Sequence, residues 1–225
     1  INTFIIMSPS NQLRIYLIAA VLYLAGIYFL PDSARIIFKA LLVPMLLNAV
    51  WNTRAFSGKN LLMAALFFSF AGDVSIEFNF IAGLVSFLTA HLFYIALFYK
   101  LISGSPRSRP LMYAGWALLA AYLGWFLYQL LPVAGALQIP VAVYGLVIGS
   151  MLALAMAGYS YWSKRAALWI IGGAVLFVAS DSLLAWDKFY AELPFARLLV
   201  MSTYLSAQYA ITVGVLKQTG VKNEG

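Results

Sequence analysis

The stretch SFAGDVSIEFNFIAGLVSFLTAHLFYIALFY, residues Ser69–Tyr99, predicts two apolar helices joined by a short polar segment. Asp73 comes near the end of the first helical run, and His91, the single histidine of the chain, lies within the second. Both runs are apolar enough to lie in lipid, where an ionisable side chain costs about 2.5–3.5 kcal/mol on insertion scales. We therefore expect Asp73 to have a function, and also Asp181, a second aspartate in a similar setting.

The composition is that of a multispanning membrane protein. Of the 225 residues, 64% are hydrophobic and 9% are charged, whereas about 25% are charged in a soluble domain. The absence of cysteine excludes disulfides and thiolate zinc sites, and one histidine excludes a three-histidine zinc centre, so neither a metal nor a cofactor is predicted. The net charge of +7 is scattered between apolar runs, which argues against a nucleic-acid partner.

Eight apolar segments have lengths suited to crossing a membrane, since a helix needs about 20 residues to span a hydrocarbon layer of about 30 Å. The predicted spans cover residues 13–30, 35–51, 60–76, 80–102, 110–131, 138–161, 166–186 and 194–217. Turn-forming stretches separate them, and the first run lacks the A-x-A site of a cleaved signal peptide, so we expect it to remain as a span. The sequence thus predicts an all-α fold, a polytopic membrane helix bundle that forms a single transmembrane domain over residues 1–225.

The distribution of lysine and arginine predicts the orientation. With the N-terminus in the cytoplasm, the inner side receives Arg14, Arg54, Lys59, Lys100, Arg107, Arg109, Lys164, Arg165, Lys217 and Lys222. The outer side receives Arg35, Lys39, Lys188 and Arg197, together with every acidic residue except Glu224. Cytoplasmic loops are enriched in positive charge, so both termini are predicted to be cytoplasmic, in what we expect to be a bacterial inner (plasma) membrane.

Polar side chains within the predicted spans gather in their outer halves. At 1.5 Å rise per residue, Asp73 and Asp181 lie about 5 and 7 Å below the outer ends of their predicted spans. Five further polar residues from the predicted spans complete the candidate set: Lys39, His91, Tyr144, Tyr204 and Gln208. Together they predict a polar cavity that opens toward the outer leaflet.

Each of these residues also has a purely structural interpretation. Asp73 could reach from the helix end to headgroup water, although the helix dipole disfavours an anion at a C-terminus. Lys39 could extend its ammonium group outward to water or pair with an acid. Glu77, one turn beyond Asp73, is expected to be a solvated loop residue rather than a catalyst.

The deeper polar residues leave the same choice open. His91 is either a structural hydrogen-bond donor or a catalyst, because most of its helical stripe is a packing face. Tyr204 and Gln208 either join helices or contact substrate. Four glycines are expected to allow close helix contacts: Gly72, Gly83, Gly172 and Gly173.

Several motifs together resemble the YhhN-like membrane family. They are F-x-x-A-G-D ending at Asp73, F-x-x-G-x-x-x-F-x-x-x-H-x-x-Y around His91, L-F-V-A-S-D-S-L-L-A around Asp181, and T-Y-L-S-A-Q with Tyr204 and Gln208. Lys39 with Pro44 and Tyr144 with Met151 are weaker parts of the pattern. The resemblance covers nearly the whole chain, with the motifs in the right order.

This family includes lysoplasmalogenases, which cleave the vinyl ether bond of a lysophospholipid. The resemblance implies that Asp73 and Asp181 are the paired catalytic acids, that Lys39, His91, Tyr144, Tyr204 and Gln208 surround them, and that the products are a fatty aldehyde and glycerophosphoethanolamine or glycerophosphocholine. The residues suit this chemistry, since vinyl ether hydrolysis needs a general acid that protonates carbon and an anion near the resulting cation, as in glycoside hydrolysis. Either aspartate could fill either role.

Three other functions fit parts of the pattern. An intramembrane aspartyl protease also uses two acids on two spans, but Phe70 stands where its G-x-G-D motif has the first glycine. A proton-coupled transporter would use the acids to bind protons or cations, although matched broken helices are not evident. A lipid-binding membrane protein without turnover is the third alternative.

Overall fold

Eight helices form the part of the chain that the computed structural model describes, residues 8–104 and 109–220. They are α1 (Pro9–Gly26), α2 (Asp32–Trp51), α3 (Lys59–Ser75), α4 (Phe80–Leu101), α5 (Arg109–Leu130), α6 (Gln138–Gly158), α7 (Lys164–Phe189) and α8 (Ala196–Gln218). Two 3₁₀ turns, Leu131–Val133 and Gly135–Leu137, connect α5 to α6, and these described residues contain no strand. The predicted all-α fold is confirmed.

Six of the eight helices are long and apolar enough to cross a membrane: α2, α4, α5, α6, α7 and α8. The helices α1 and α3 are not among them, and α3 is only 17 residues long. Eight membrane spans with cytoplasmic termini therefore remain a prediction. Of the charges behind that orientation, Arg107, Lys222 and Glu224 lie outside the described residues.

Short polar residues begin several of the helices. The side chain of Ser8 accepts a hydrogen bond from the backbone of Asn11 at the start of α1, and Asn79 and Ser163 cap α4 and α7 in the same way. Such caps satisfy backbone N–H groups that have no partner inside the helix. Helix α2 has no side-chain cap of this kind, because Pro31 is the residue that precedes Asp32.

Helix α7 continues past the predicted end of its span, residue 186, to Phe189. Aromatic packing explains the extra turn, since Trp186 stacks on Trp125 of α5 and Phe189 meets Phe80 of α4 edge to face. The rise of an α-helix then puts Asp181 about 12 Å from the end of α7, deeper than predicted. The second aspartate thus lies about two turns before the end of its helix and is partly buried.

Helices α7 and α8 pack most extensively, through glycines on both helices. A Cβ atom at Gly173 would lie 2.8 Å from the backbone nitrogen of Ile211, and one at Gly214 would lie 2.9 Å from that of Ile170. Gly72 faces Phe87 and Gly83 faces Ile76 with equally little room, as predicted. The prediction for Gly172 was wrong, because a Cβ atom at this position would have no neighbouring atom within 4 Å and the residue faces outward.

These neighbouring glycines give a matched test of the packing. We expect Gly173→Val to destabilise the protein by about 1–3 kcal/mol, because the added carbons collide with backbone that cannot move aside cheaply. Gly172→Val adds the same side chain on an open face and serves as the control. The measurement is thermal unfolding of both variants in detergent, and equal melting temperatures would contradict the close contact.

Candidate active site

A cavity of about 520 Å³ opens at one end of the bundle, where α2 and α8 begin and α3 and α7 end. Four of the seven predicted site residues line it: Lys39, Asp73, Asp181 and Tyr204. Both aspartates therefore face one shared space, although they are far apart in the chain and on different helices. The other three predicted residues, His91, Tyr144 and Gln208, do not line this cavity.

Asp73 is buried in the last turn of α3, with 3% of its surface exposed. Its Oδ2 accepts a hydrogen bond of 2.7 Å from the hydroxyl group of Tyr204 on α8. A buried carboxyl without partners would be costly, and the tyrosine hydroxyl supplies one of the hydrogen bonds it needs. Asp73 is therefore hydrogen-bonded to a neighbouring helix.

Asp181 has an equivalent tyrosine partner. Its Oδ2 accepts a hydrogen bond of 2.5 Å from the hydroxyl group of Tyr144 on α6. The Nε2 atom of His91 lies 3.8 Å from the same oxygen, beyond hydrogen-bond range. His91 is fully buried, so it approaches the site from the protein interior and not from the cavity.

An aromatic wall connects the two aspartate–tyrosine pairs. The ring of Phe177 lies edge to face with Tyr204 at 5.5 Å and with His91 at 4.6 Å, and His91 meets Tyr144 at 5.5 Å. Edge-to-face contacts at such separations are favourable and restrict ring motion. The wall therefore fixes both tyrosine hydroxyls, and with them both carboxyl groups, in one arrangement.

Lys39 pairs with an acid, which settles one choice that the sequence left open. Its Nζ donates a hydrogen bond of 2.7 Å to Oε1 of Glu77, rather than to either aspartate. The two side chains are 11% and 26% exposed. Glu77 is an exposed residue after the end of α3, as we expected, but its carboxylate is paired with Lys39. The pair bridges α2 and the segment after α3 at the cavity mouth.

The cavity lining also includes residues that sequence reasoning did not select, among them Asp187, Phe195 and Arg197. Asp187 accepts a hydrogen bond from the backbone of Leu193, and Phe195 has a φ of 58°, unusual for a residue other than glycine. A sequence signal existed for Arg197 alone, because it precedes Tyr204 by seven residues and so shares its helix face.

Gln208 joins helices in the structure. Its Oε1 accepts a hydrogen bond of 2.6 Å from the hydroxyl group of Tyr94 on α4, and both side chains are fully buried. This geometry supports the helix-joining role and not a substrate contact. Among the described residues, no group of three or more histidine and acidic side chains could hold a metal ion.

The fold and site define the class of protein. An apolar, all-helical bundle in which two aspartates, one buried and one partly buried, line one polar cavity is a multi-pass membrane protein with a candidate acid–base centre. The YhhN family model matches residues 34–215, so the chain belongs to the YhhN family.

Curated relatives carry a more specific name. The chain is 37% identical over 166 residues to lysoplasmalogenase TMEM86B of Mus musculus and 36% identical over 168 residues to lysoplasmalogenase TMEM86B of Homo sapiens, covering 72% and 73% of this chain and 66% and 67% of those proteins. It is 30% identical over 161 residues to a lysoplasmalogenase of Mycobacterium tuberculosis, over 68% of this chain and 59% of that protein. The matches thus span about two thirds or less of these relatives' lengths. No solved structure matches the chain significantly.

The ion pair at the mouth can be tested by a double-mutant cycle with Lys39→Met and Glu77→Gln. We expect each single change to destabilise the protein and the pair to show a coupling of about 1–2 kcal/mol, since each leaves a partly buried charge without its partner. The coupling is measured by thermal unfolding in detergent. Additive effects would mean that the two groups do not interact in solution.

Proposed function

We propose that this protein is a membrane lysoplasmalogenase, which hydrolyses the vinyl ether bond of a lysoplasmalogen. The products would be a fatty aldehyde and glycerophosphoethanolamine or glycerophosphocholine. The observation that carries the proposal is the pair of aspartates on one cavity, Asp73 buried and Asp181 partly buried, each hydrogen-bonded to a tyrosine. Similarity to relatives named lysoplasmalogenase supports the substrate class.

The reaction requires acid and base groups at the same time. One aspartic acid gives its proton to the outer carbon of the vinyl ether double bond, and the double-bond electrons form the new C–H bond. The carbon next to oxygen becomes an oxocarbenium ion, which the second, ionised aspartate stabilises electrostatically. That aspartate then takes a proton from the water molecule that attacks the cation, which yields a hemiacetal.

Collapse of the hemiacetal returns both acids to their starting states. The second aspartic acid gives its new proton to the glycerol oxygen as the C–O bond breaks, and the first carboxylate takes the hydroxyl proton as the aldehyde forms. The proposed cycle starts with one acid protonated and the other ionised, and different surroundings of two carboxyl groups favour such a division of roles. Tyr144 and Tyr204 hold the two carboxyl groups in position.

The cavity mouth suits a zwitterionic headgroup. Arg197 and Lys39 carry positive charges that suit a phosphate group. Glu77, the partner of Lys39, and Asp187 carry negative charges that suit an amine. Charge-assisted hydrogen bonds of this kind are stronger than neutral ones. With both termini cytoplasmic in a bacterial inner membrane, as the charge distribution favours, the mouth would face outward.

Conservative replacement of the two acids tests the proposal directly. We expect Asp73→Asn and Asp181→Asn each to lower turnover of a lysoplasmalogen by at least about 10²-fold, because an amide neither donates nor accepts the required proton. Asp32→Asn, at an exposed aspartate outside the cavity, is the control and should retain activity. Aldehyde release is measured by mass spectrometry on purified protein in detergent.

Folding is checked separately by size-exclusion chromatography and circular dichroism. Full activity in either cavity variant would remove that aspartate from the mechanism. A folded wild-type protein that releases no aldehyde from any lysoplasmalogen would overturn the proposed reaction, and proton-coupled uptake into liposomes would then favour a transporter.

A further inference from the structure

We propose that a second, apolar pocket holds the vinyl-ether end of the substrate's hydrocarbon chain and thereby makes Asp181 the proton donor. This inference rests on the proposed lysoplasmalogenase reaction for its substrate. The pocket is a slot of about 60 Å³ between α4, α5, α6 and α7. The sequence did not predict this pocket, because apart from Tyr144, Asp181 and Ser182 its walls are apolar residues and a glycine without a motif of their own.

The slot and the polar cavity meet. Four residues line both spaces: Ile76, Phe87, Asp181 and Leu184. Away from this junction the slot walls are almost entirely apolar, with Leu123 and Leu127 on one side and Ile148 on another. A molecule with one polar and one apolar end can therefore occupy both spaces at once, with its middle beside Asp181.

Size and polarity decide which end enters which space. The polar cavity, at about 520 Å³, has room for a glycerophosphate headgroup and has charged groups at its mouth. The slot is narrow and has only Tyr144, Asp181 and Ser182 as polar residues, of which the first two bond each other and Ser182 bonds Tyr122. A hydrocarbon chain loses no hydrogen bonds or ion pairs when it enters such a space, whereas the charges of a headgroup would be left unpaired there.

Another apolar groove competes for the chain. It lies between α1 and α2, has a volume of about 390 Å³, and is lined by residues such as Leu22, Leu41 and Met45. It shares no lining residue with the polar cavity, so a single lysolipid has no continuous path between the two. We therefore assign the chain to the slot, which is continuous with the cavity that both carboxyl groups line.

The location of the chain assigns roles to the two acids. The vinyl ether joins the chain to the glycerol, so it lies at the junction, and Asp181 lines the junction while Asp73 lines only the polar cavity. Asp181 then protonates the chain carbon, and Asp73, on the headgroup side where water enters, accepts the proton of the attacking water. The electrons of the double bond form the C–H bond, and a lone pair of water forms the C–O bond.

Photo-crosslinking tests the chain's location without any turnover. The probe is a saturated 1-O-alkyl lysophosphatidylethanolamine with a diazirine close to the ether, which has no vinyl ether to cleave. We expect labelled peptides from α5 and α6 that include Leu123, Leu127 and Ile148. Labelling confined to α1 and α2, or to outward-facing residues such as Leu146, would overturn the proposal. Labelling of the slot in a protein that releases no aldehyde would retain the chain site and reject only the reaction.

A matched pair of glycine substitutions tests whether the slot selects substrate. Gly145 lines the slot and its added Cβ would meet only the flexible end of Leu127, at 3.2 Å, whereas Gly124 on α5 has open space around it. We expect Gly145→Leu to raise KM for a long-chain lysoplasmalogen about tenfold or more, because it fills space that about two methylene groups would occupy. Gly124→Leu should stay within about twofold.

Gly145→Ala is included because the larger change could impair folding, and it should give an intermediate KM. Unchanged KM in a folded Gly145→Leu protein, or equal effects at Gly124 and Gly145, would contradict the chain site.

Azide distinguishes the two acids, since it attacks an oxocarbenium ion without losing a proton. We expect azide to restore consumption of the vinyl ether substrate by the Asp73→Ala variant, with an azido ether as product. Azide should not restore it in Asp181→Ala, where the cation never forms. Rescue of Asp181→Ala instead, or of neither variant, would overturn the assignment of roles.

Discussion

Hydrogen bonding of carboxyl groups inside an apolar bundle is the constraint on which the rest of this structure depends. A buried polar group without a partner is costly, and in this bundle most neighbouring side chains are hydrocarbon. Asp73 finds its partner on α8, Asp181 on α6, and Lys39 in the segment after α3. The first two bonds each join two helices, and the third joins α2 to the segment after α3, so together they connect α2, α3, α6, α7 and α8 at the cavity end.

Glycine contacts make this arrangement possible. The close approach of α7 and α8 at Gly173 and Gly214 sets α8 firmly against its neighbour, and α8 is the most buried of the candidate spans. Tyr204 on α8 then reaches Asp73 across the bundle, with Phe177 of α7 packed against its ring. Small residues at the helix interface thus allow the close packing that accompanies the polar contact at its end.

The same arrangement leaves two spaces of opposite character beside Asp181. One is polar and wide, and the other is apolar and narrow. In the reaction that we propose, their junction gives a physical reason for two carboxyl groups in different surroundings, because one would deliver a proton to the hydrocarbon chain and the other would accept a proton from water. Differences in environment are the usual way in which proteins separate acid and base roles between like residues.

The sequence by itself determined the class of fold, the positions of most helices and the two aspartates, because hydropathy and charge are local properties that are read along the chain. It did not determine that Lys39 pairs with Glu77, that Gly172 faces outward while Gly173 packs, or that α7 extends to Phe189. Those outcomes depend on which helix faces meet, and so on contacts between residues far apart in the chain. The apolar slot was decided by tertiary structure alone, since hydrophobic side chains that line a space have the same pattern in sequence as those that fill one.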